Sequence, residues 1–126
     1  MPKPKPKVKL PRKLKIGVRV YPVEVVPPGL WASEDTFGDM ESDPPLIRIQ
    51  GVKDQRRQAH TLWHETMHAI MEDRVWTDTF KATLGVEGRA FHDIDEDFTE
   101  GVTRGIIQAV QDNPELLRLL AYLAKP

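Results

Sequence analysis

The chain has 126 residues, enough for one domain with a modest core, and its 40% hydrophobic and 29% charged content marks a globular rather than a disordered sequence. It has no cysteine, so disulfides and thiolate ligands are excluded and any metal must be held by His, Asp or Glu. No apolar run approaches the roughly 20 residues of a membrane span, and the basic N-terminus lacks the apolar stretch of a secretory signal. The expectation is a cytoplasmic protein with no membrane partner.

Residues 1–13 alternate Lys and Pro. All eight basic residues before Glu24 (Lys3, Lys5, Lys7, Lys9, Arg12, Lys13, Lys15 and Arg19) precede any acidic one, so the overall charge of −1 hides a basic start and an acidic remainder. Proline fixes φ and removes donors, and like charges repel, which predicts an extended flexible tail over 1–13. Such a tail is either a solvated extension or an arm for nucleic acid or an acidic partner. No aromatic is interleaved with its lysines, so base stacking gains no support.

A single domain is expected over 14–126. Residues 14–26 are rich in Val, Ile and Tyr and read as a strand, with Pro22 at an edge or break. Residues 30–45 read as a loop, with room for a further strand within 30–40. Leu46–Ile49 is a second short strand. Residues 54–73 form the strongest helix candidate. Asp54 is its N-cap, and Ala59, Leu62, Trp63, Met67, Ile70 and Met71 make an apolar stripe. Trp76, Phe80 and Leu84 followed by Gly85 suggest a short helix with a glycine cap. A long helix is expected from about Asp93 to Asp112, its stripe built by Ile94, Phe98, Val102, Ile106 and Val110. Asn113 and Pro114 read as N-cap and first residue of a last helix.

The chemistry concentrates in His64-Glu65-Thr66-Met67-His68, an H-E-x-x-H motif inside the first long helix. Residues four apart lie above one another on a helix face, so both imidazoles can reach one Zn²⁺ at about 2.1 Å. Glu65, on the flank of that face, is placed to accept a proton from a water that the metal acidifies. The alternative is a pair of half-buried helix histidines with no metal. A catalytic zinc needs a third protein ligand. Glu96 and Glu100 share a face of the second long helix. Glu96 is the expected ligand, with Glu100 as the alternative or as the acceptor that orients a histidine ring. Arg104 can pair with Glu100 at i+4. Acidic residues also favour a helix start without any ligand role. His60 lies four before His64, but three successive turns span too far for one ion. His92, just before the glutamate helix, is a candidate transition-state donor or a plain loop histidine. Tyr21 and Tyr122 are further candidate donors. The three tryptophans read as core or cleft wall.

The string Asp95-Glu96-Asp97-Phe98-Thr99-Glu100 resembles the N-E-x-F-A-E segment that supplies the glutamate ligand of aminopeptidase-type gluzincins, with Asp for Asn and Thr for Ala. Twenty-seven residues separate His68 from Glu96. That spacing resembles the small metallopeptidases of phages and mobile elements, akin to the ImmA-type group that cleaves repressors. The resemblance covers about 110 residues, with only the two motifs specific. It implies an α+β, minimal zincin-like domain: a small, twisted, largely antiparallel sheet packed on the H-E-x-x-H helix and the glutamate helix, which cross at the metal. It implies that Leu46–Ile49 lines the cleft and pairs with an extended peptide, and that the connection 73–93 departs from the family and could cover the cleft. The expected function is zinc-dependent peptide hydrolysis with His64, His68 and Glu96 as ligands and Glu65 as base. The rival is a metal-holding regulatory module with little general proteolysis.

Overall fold

The computed structural model describes residues 9–31, 36–74, 81–85 and 88–125. Their contacts divide the chain into two compact units, Met1–Val86 and Glu87–Pro126. The architecture is α+β, a four-stranded mixed sheet with helices, as the strand and helix signals require.

The first unit holds β1 (Lys13–Ile16), β2 (Arg19–Val26), a short 3₁₀ turn (Pro28–Leu30), β3 (Gly38–Ser42), β4 (Pro45–Gln50) and helix α1 (Gln55–Asp73). The run expected as one strand over 14–26 is a hairpin. Gly17 and Val18 form its two-residue turn, between the paired Ile16 and Arg19. Gly17 takes a φ of 63°, which a two-residue hairpin demands and a residue with Cβ resists. A side chain there would also collide with the carboxylate of Asp73 at the end of α1. Gly17→Ala is therefore expected to destabilise the protein by about 1–3 kcal/mol, read as a lower urea midpoint. An unchanged midpoint would refute this account of the turn.

Sheet order is β1-β2-β4-β3. β2 uses its first half, Arg19 to Pro22, to pair antiparallel with β1, and its second half, Val23 to Val26, to pair parallel with β4. Pro22 sits where the partner changes. β3 and β4 form an antiparallel hairpin that closes at Ser42 and Pro45. The sheet is thus mixed: its two outer pairs are antiparallel, in line with the largely antiparallel expectation, and its central pair is parallel. The further strand for which 30–40 left room is β3, which begins at Gly38 and runs on to Ser42; its bounds are not legible because Gly-Asp-Met-Glu-Ser lacks the β-branched residues that announce a strand.

Strand alternation sends Ile47 and Ile49 of β4 to one face, fully buried with Tyr21, Ile16, Leu62 and Ala69. Each buried isoleucine contributes about 2 kcal/mol relative to an exposed one. Leu10, Leu14, Val23 and Met40 pack around this cluster. Leu10 thus belongs to the folded unit, and the Arg12 carbonyl accepts from the Val23 N–H at 2.8 Å. The folded part begins within the stretch expected as tail, because Leu10 is apolar and has a core to join. The opposite sheet face is charged. Arg48 forks onto Asp39 at 2.5 and 2.9 Å, with Glu41 at 3.6 Å. That hydrogen-bonded pair and its charge hold the guanidinium above its ordinary range.

Asp54 caps α1 as expected, accepting from the Arg56 and Arg57 N–H groups at 3.0 and 3.3 Å. The buried row is Thr61, Leu62, Glu65, Ala69 and Met71, whereas Trp63 and Ile70 are exposed. The expected stripe is corrected: the sheet-facing row accepts the small Thr61 and Ala69 in close contact and leaves the bulky Trp63 outside. Residues 81–84 are helical, and Gly85, with φ 66°, donates to the Lys81 carbonyl, as a glycine cap does. Trp76 and Phe80 lie outside the described residues.

The second unit holds α2 (Gly88–Asp112) and α3 (Glu115–Ala124). α2 starts five residues earlier than expected, because Arg89-Ala90-Phe91 continue the helix without a breaker. Its buried positions are Phe91, Thr99 and Thr103, while Ile94, Phe98 and Ile106 are partly exposed, so the apolar stripe expected there is corrected. Pro114, not Asn113, occupies the N-cap of α3, and the Asn113 amide donates back to the Ala109 carbonyl, closing α2 instead. No helix among the described residues is long and apolar enough to cross a membrane.

Candidate metal centre

His64 and His68 stand one turn apart on the half-buried flank of α1. Their rings meet edge to face, with centroids 4.9 Å apart, and their Nε2 atoms converge to 3.2 Å. In a tetrahedral zinc site, two nitrogens each about 2.1 Å from the ion lie about 3.4 Å apart. The pair therefore fits such an ion almost as it stands. The same separation suits an N–H···N bond between two neutral rings, which is how the pair satisfies itself without metal.

Glu65 occupies the buried row beside them and is 6% exposed. Its surroundings explain how a carboxylate is seated there. Edge strand β3 passes so close that a Cβ on Gly38 would lie 3.3 Å from Glu65 Cγ, 2.6 Å from Thr61 Cγ2 and 3.0 Å from the Arg48 carbonyl. Gly38 is thus required for close approach of strand to helix. At the far end of the same strand, the Ser42 hydroxyl donates to Glu72 at 2.6 Å, tying β3 to α1 at a second point. Thr66 spends its hydroxyl on the Leu62 carbonyl at 2.7 Å, which keeps it within the helix. Neither Gly38 nor Thr61 stood out in the sequence. The signal that could have found Gly38 is a glycine opening a short polar segment before the β4 run.

Gly38→Ala is expected to destabilise the protein by about 1–3 kcal/mol, since the new methyl overlaps Thr61. Thr61→Ser removes the opposing methyl, so the double variant should recover part of the loss. Urea unfolding of the two singles and the double checks this. Additive losses would show that the two positions do not touch.

The strand expected to line the cleft is corrected. β4, which contains Leu46–Ile49, is paired on both sides, by β2 and by β3, so its backbone groups are already used. Among the described residues β3 pairs only with β4, and it is β3 that packs on Glu65.

Glu96 and Glu100 lie four apart on α2 in the second unit, both half-buried, beside the buried Thr99 and Thr103. Arg104 pairs with Glu100 at 2.8 Å, as the i+4 spacing predicts. Asp95 is also half-buried on this helix. His92 is corrected: it sits inside α2 and not before it, exposed, with Asp93 at 3.8 Å. Tyr21 is fully buried among the sheet's apolar residues, and Tyr122 is exposed on α3. Burial within that cluster removes Tyr21 from the candidate donors. His60 is half-buried on the histidine row of α1.

Comparison with protein-family models, with curated proteins and with solved structures returned no match.

Proposed function

We propose that the chain is a zinc-dependent hydrolase, most specifically a metallopeptidase of gluzincin type, with His64, His68 and Glu96 as ligands and Glu65 as general base. The observation that carries this reading is the convergence of the two Nε2 atoms to 3.2 Å beside a buried carboxylate. Two imidazoles and one carboxylate are the donor set that a catalytic zinc takes, leaving a position open for the reaction. When bound, the ion would supply Lewis acidity, polarising a carbonyl and making a water acidic near neutral pH.

The chain's own residues do the rest. His64 and His68 hold their rings edge to face and need no rearrangement to present nitrogen. Glu65 accepts the proton of the attacking water at a carboxylate oxygen and returns it to the leaving amine. Its burial against Gly38 fixes the side chain and keeps bulk water from solvating the carboxylate. Glu100, held by Arg104, serves as a positioning residue for a ligand ring or as the alternative ligand. The outer edge of β3, running beside Glu65, offers backbone groups to an extended peptide. A protein or peptide substrate is the class this arrangement suits.

The test is cleavage of a peptide mixture by the zinc-loaded full chain. Cleavage should stop on chelation and in Glu65→Gln. Cleavage that survives Glu65→Gln would overturn the reading.

A further inference from the structure

Neither the core nor the candidate metal centre uses the basic residues at the start of the chain, and three of them, Lys13, Lys15 and Arg19, stand on one two-stranded ribbon. β1 pairs only with the first half of β2, from Lys13 opposite Pro22 to Ile16 opposite Arg19. β4 takes the second half of β2, so the ribbon runs past the end of β4. Alternation gives this ribbon two faces. Leu14, Ile16 and Tyr21 join the core cluster. Lys13 and Lys15 share the opposite face with Val20 and Pro22, which they oppose across the hairpin, Glu24 continues that face along β2, and Arg19, opposite Ile16 beside the turn, lies on the other one. Lys13, Lys15 and Arg19 are exposed, and so are Lys9 and Arg12 just before β1. None of these five cations has an ion-pair partner among the described residues. Asp73 lies against the turn at Gly17, and Glu24 acts on Arg48.

We propose that the β1–β2 ribbon, together with Lys9 and Arg12, docks the phosphate backbone of a nucleic-acid duplex. The five cations outnumber the two acidic groups at the ribbon, Glu24, which faces Arg48, and Asp73, which sits at the turn, and a duplex offers one negative charge per about 1.7 Å of its axis. An extended strand places Lys13 and Lys15 about 6.7 Å apart on one face, so each meets a different phosphate. The chemistry around the cations selects this partner. A single strand would be held by stacked bases, and the only aromatic of the hairpin, Tyr21, is fully buried. An anionic membrane would be held by aromatic or leucine side chains inserted beside the cations, and the exposed apolar residues there are the short valines Val18 and Val20. The surface stands independently of the metal centre. Lysines on an edge strand also block strand-to-strand aggregation, a role that predicts no affinity for a polyanion.

The experiment titrates the full chain against a labelled mixed-sequence DNA duplex by fluorescence anisotropy across a salt series. Three proteins are compared: wild type, the triple variant Lys13→Gln/Lys15→Gln/Arg19→Gln, and a chain lacking residues 1–8. All three substituted side chains are exposed, so circular dichroism should show an intact fold. Wild type is expected to bind with an affinity that falls linearly in log–log form with salt. The triple variant should lose about 0.9 of that slope for each phosphate contact removed, about 1.8 for Lys13 and Lys15 together, with Arg19 beside the turn adding up to one contact more. The chain lacking 1–8 should keep the part of the slope that the ribbon supplies. Three results would overturn the proposal: no binding by wild type, an unchanged slope in the triple variant with binding lost on removal of 1–8, or binding to phosphatidylserine vesicles but not to the duplex.

Discussion

Wild-type protein supplied with zinc and then desalted is expected to retain one ion per chain, and His68→Ala to retain none. The reason lies in the convergence of His64 and His68. Their nitrogens already stand 3.2 Å apart, within a few tenths of an ångström of the separation a tetrahedral ion imposes, so little ordering has to accompany binding. Removing either ring breaks the one converged pair on that row, and a single imidazole of the pair does not hold zinc against a desalting column. The ion should also stabilise the fold. At free zinc one hundred times the dissociation constant, linkage contributes about 2.7 kcal/mol, which for a chain of this size raises the melting temperature by roughly 10 °C. His68→Ala should show neither the ion by mass spectrometry nor the shift. Glu96→Ala separates the two ligand assignments on α2. Loss of the ion there names Glu96, whereas retention in Glu96→Ala with loss in Glu100→Ala names its neighbour. A wild-type chain that never takes up zinc would leave the histidine pair as a hydrogen-bonded couple and end the hydrolase reading.

How much of the fold and of the metal centre is legible in the amino-acid sequence depends on whether the information is local. The His64/Glu65/His68 spacing, the Asp54 cap and the Gly85 cap are all consequences of helix geometry, and each is placed as the sequence indicates. The Arg104–Glu100 pair follows from the same rule of four. Information about neighbours distant in sequence is what the string of residues hides. A glycine in LKIGVRV is equally compatible with a strand interior and a turn, and only pairing with Tyr21 and Val20 decides for the hairpin. The polar composition of β3 hides a strand whose reason for existing is β4 on one side and the side chain of Glu65 above it. Periodicity identifies α1, yet it assigns the core row to the largest apolar residues. The buried row keeps Leu62 and Met71 but adds the small Thr61 and Ala69, leaving Trp63 and Ile70 outside. The same displacement on α2 puts Thr99 and Thr103 inside and Phe98 partly out. Helical existence is set by local propensity and spacing, whereas the choice of buried face belongs to the partner surface, which one helix cannot announce.

Glu65→Gln is expected to lower peptide hydrolysis by about 10²–10⁴-fold while leaving both the fold and the bound ion in place. Glutamine matches glutamate in length and shape, so the contact with Gly38 and Thr61 survives the substitution. Only the ability to accept a proton is lost, because the amide is not a base at neutral pH. Glu65 is also not among the proposed ligands, so zinc content should stay at the wild-type level. This pattern distinguishes the proposed roles more sharply than any loss of activity alone. A metal-holding regulatory module would keep its partner-binding function in Glu65→Gln, because holding an ion needs only His64, His68 and Glu96. A hydrolase would keep the ion and lose the reaction. The check is paired: zinc per chain by mass spectrometry, and cleavage of a peptide mixture under identical conditions. If Glu65→Gln loses the ion along with the activity, Glu65 acts in building the site and not as its base. If neither changes, the buried carboxylate serves the packing of β3 on α1, and the proton acceptor lies elsewhere.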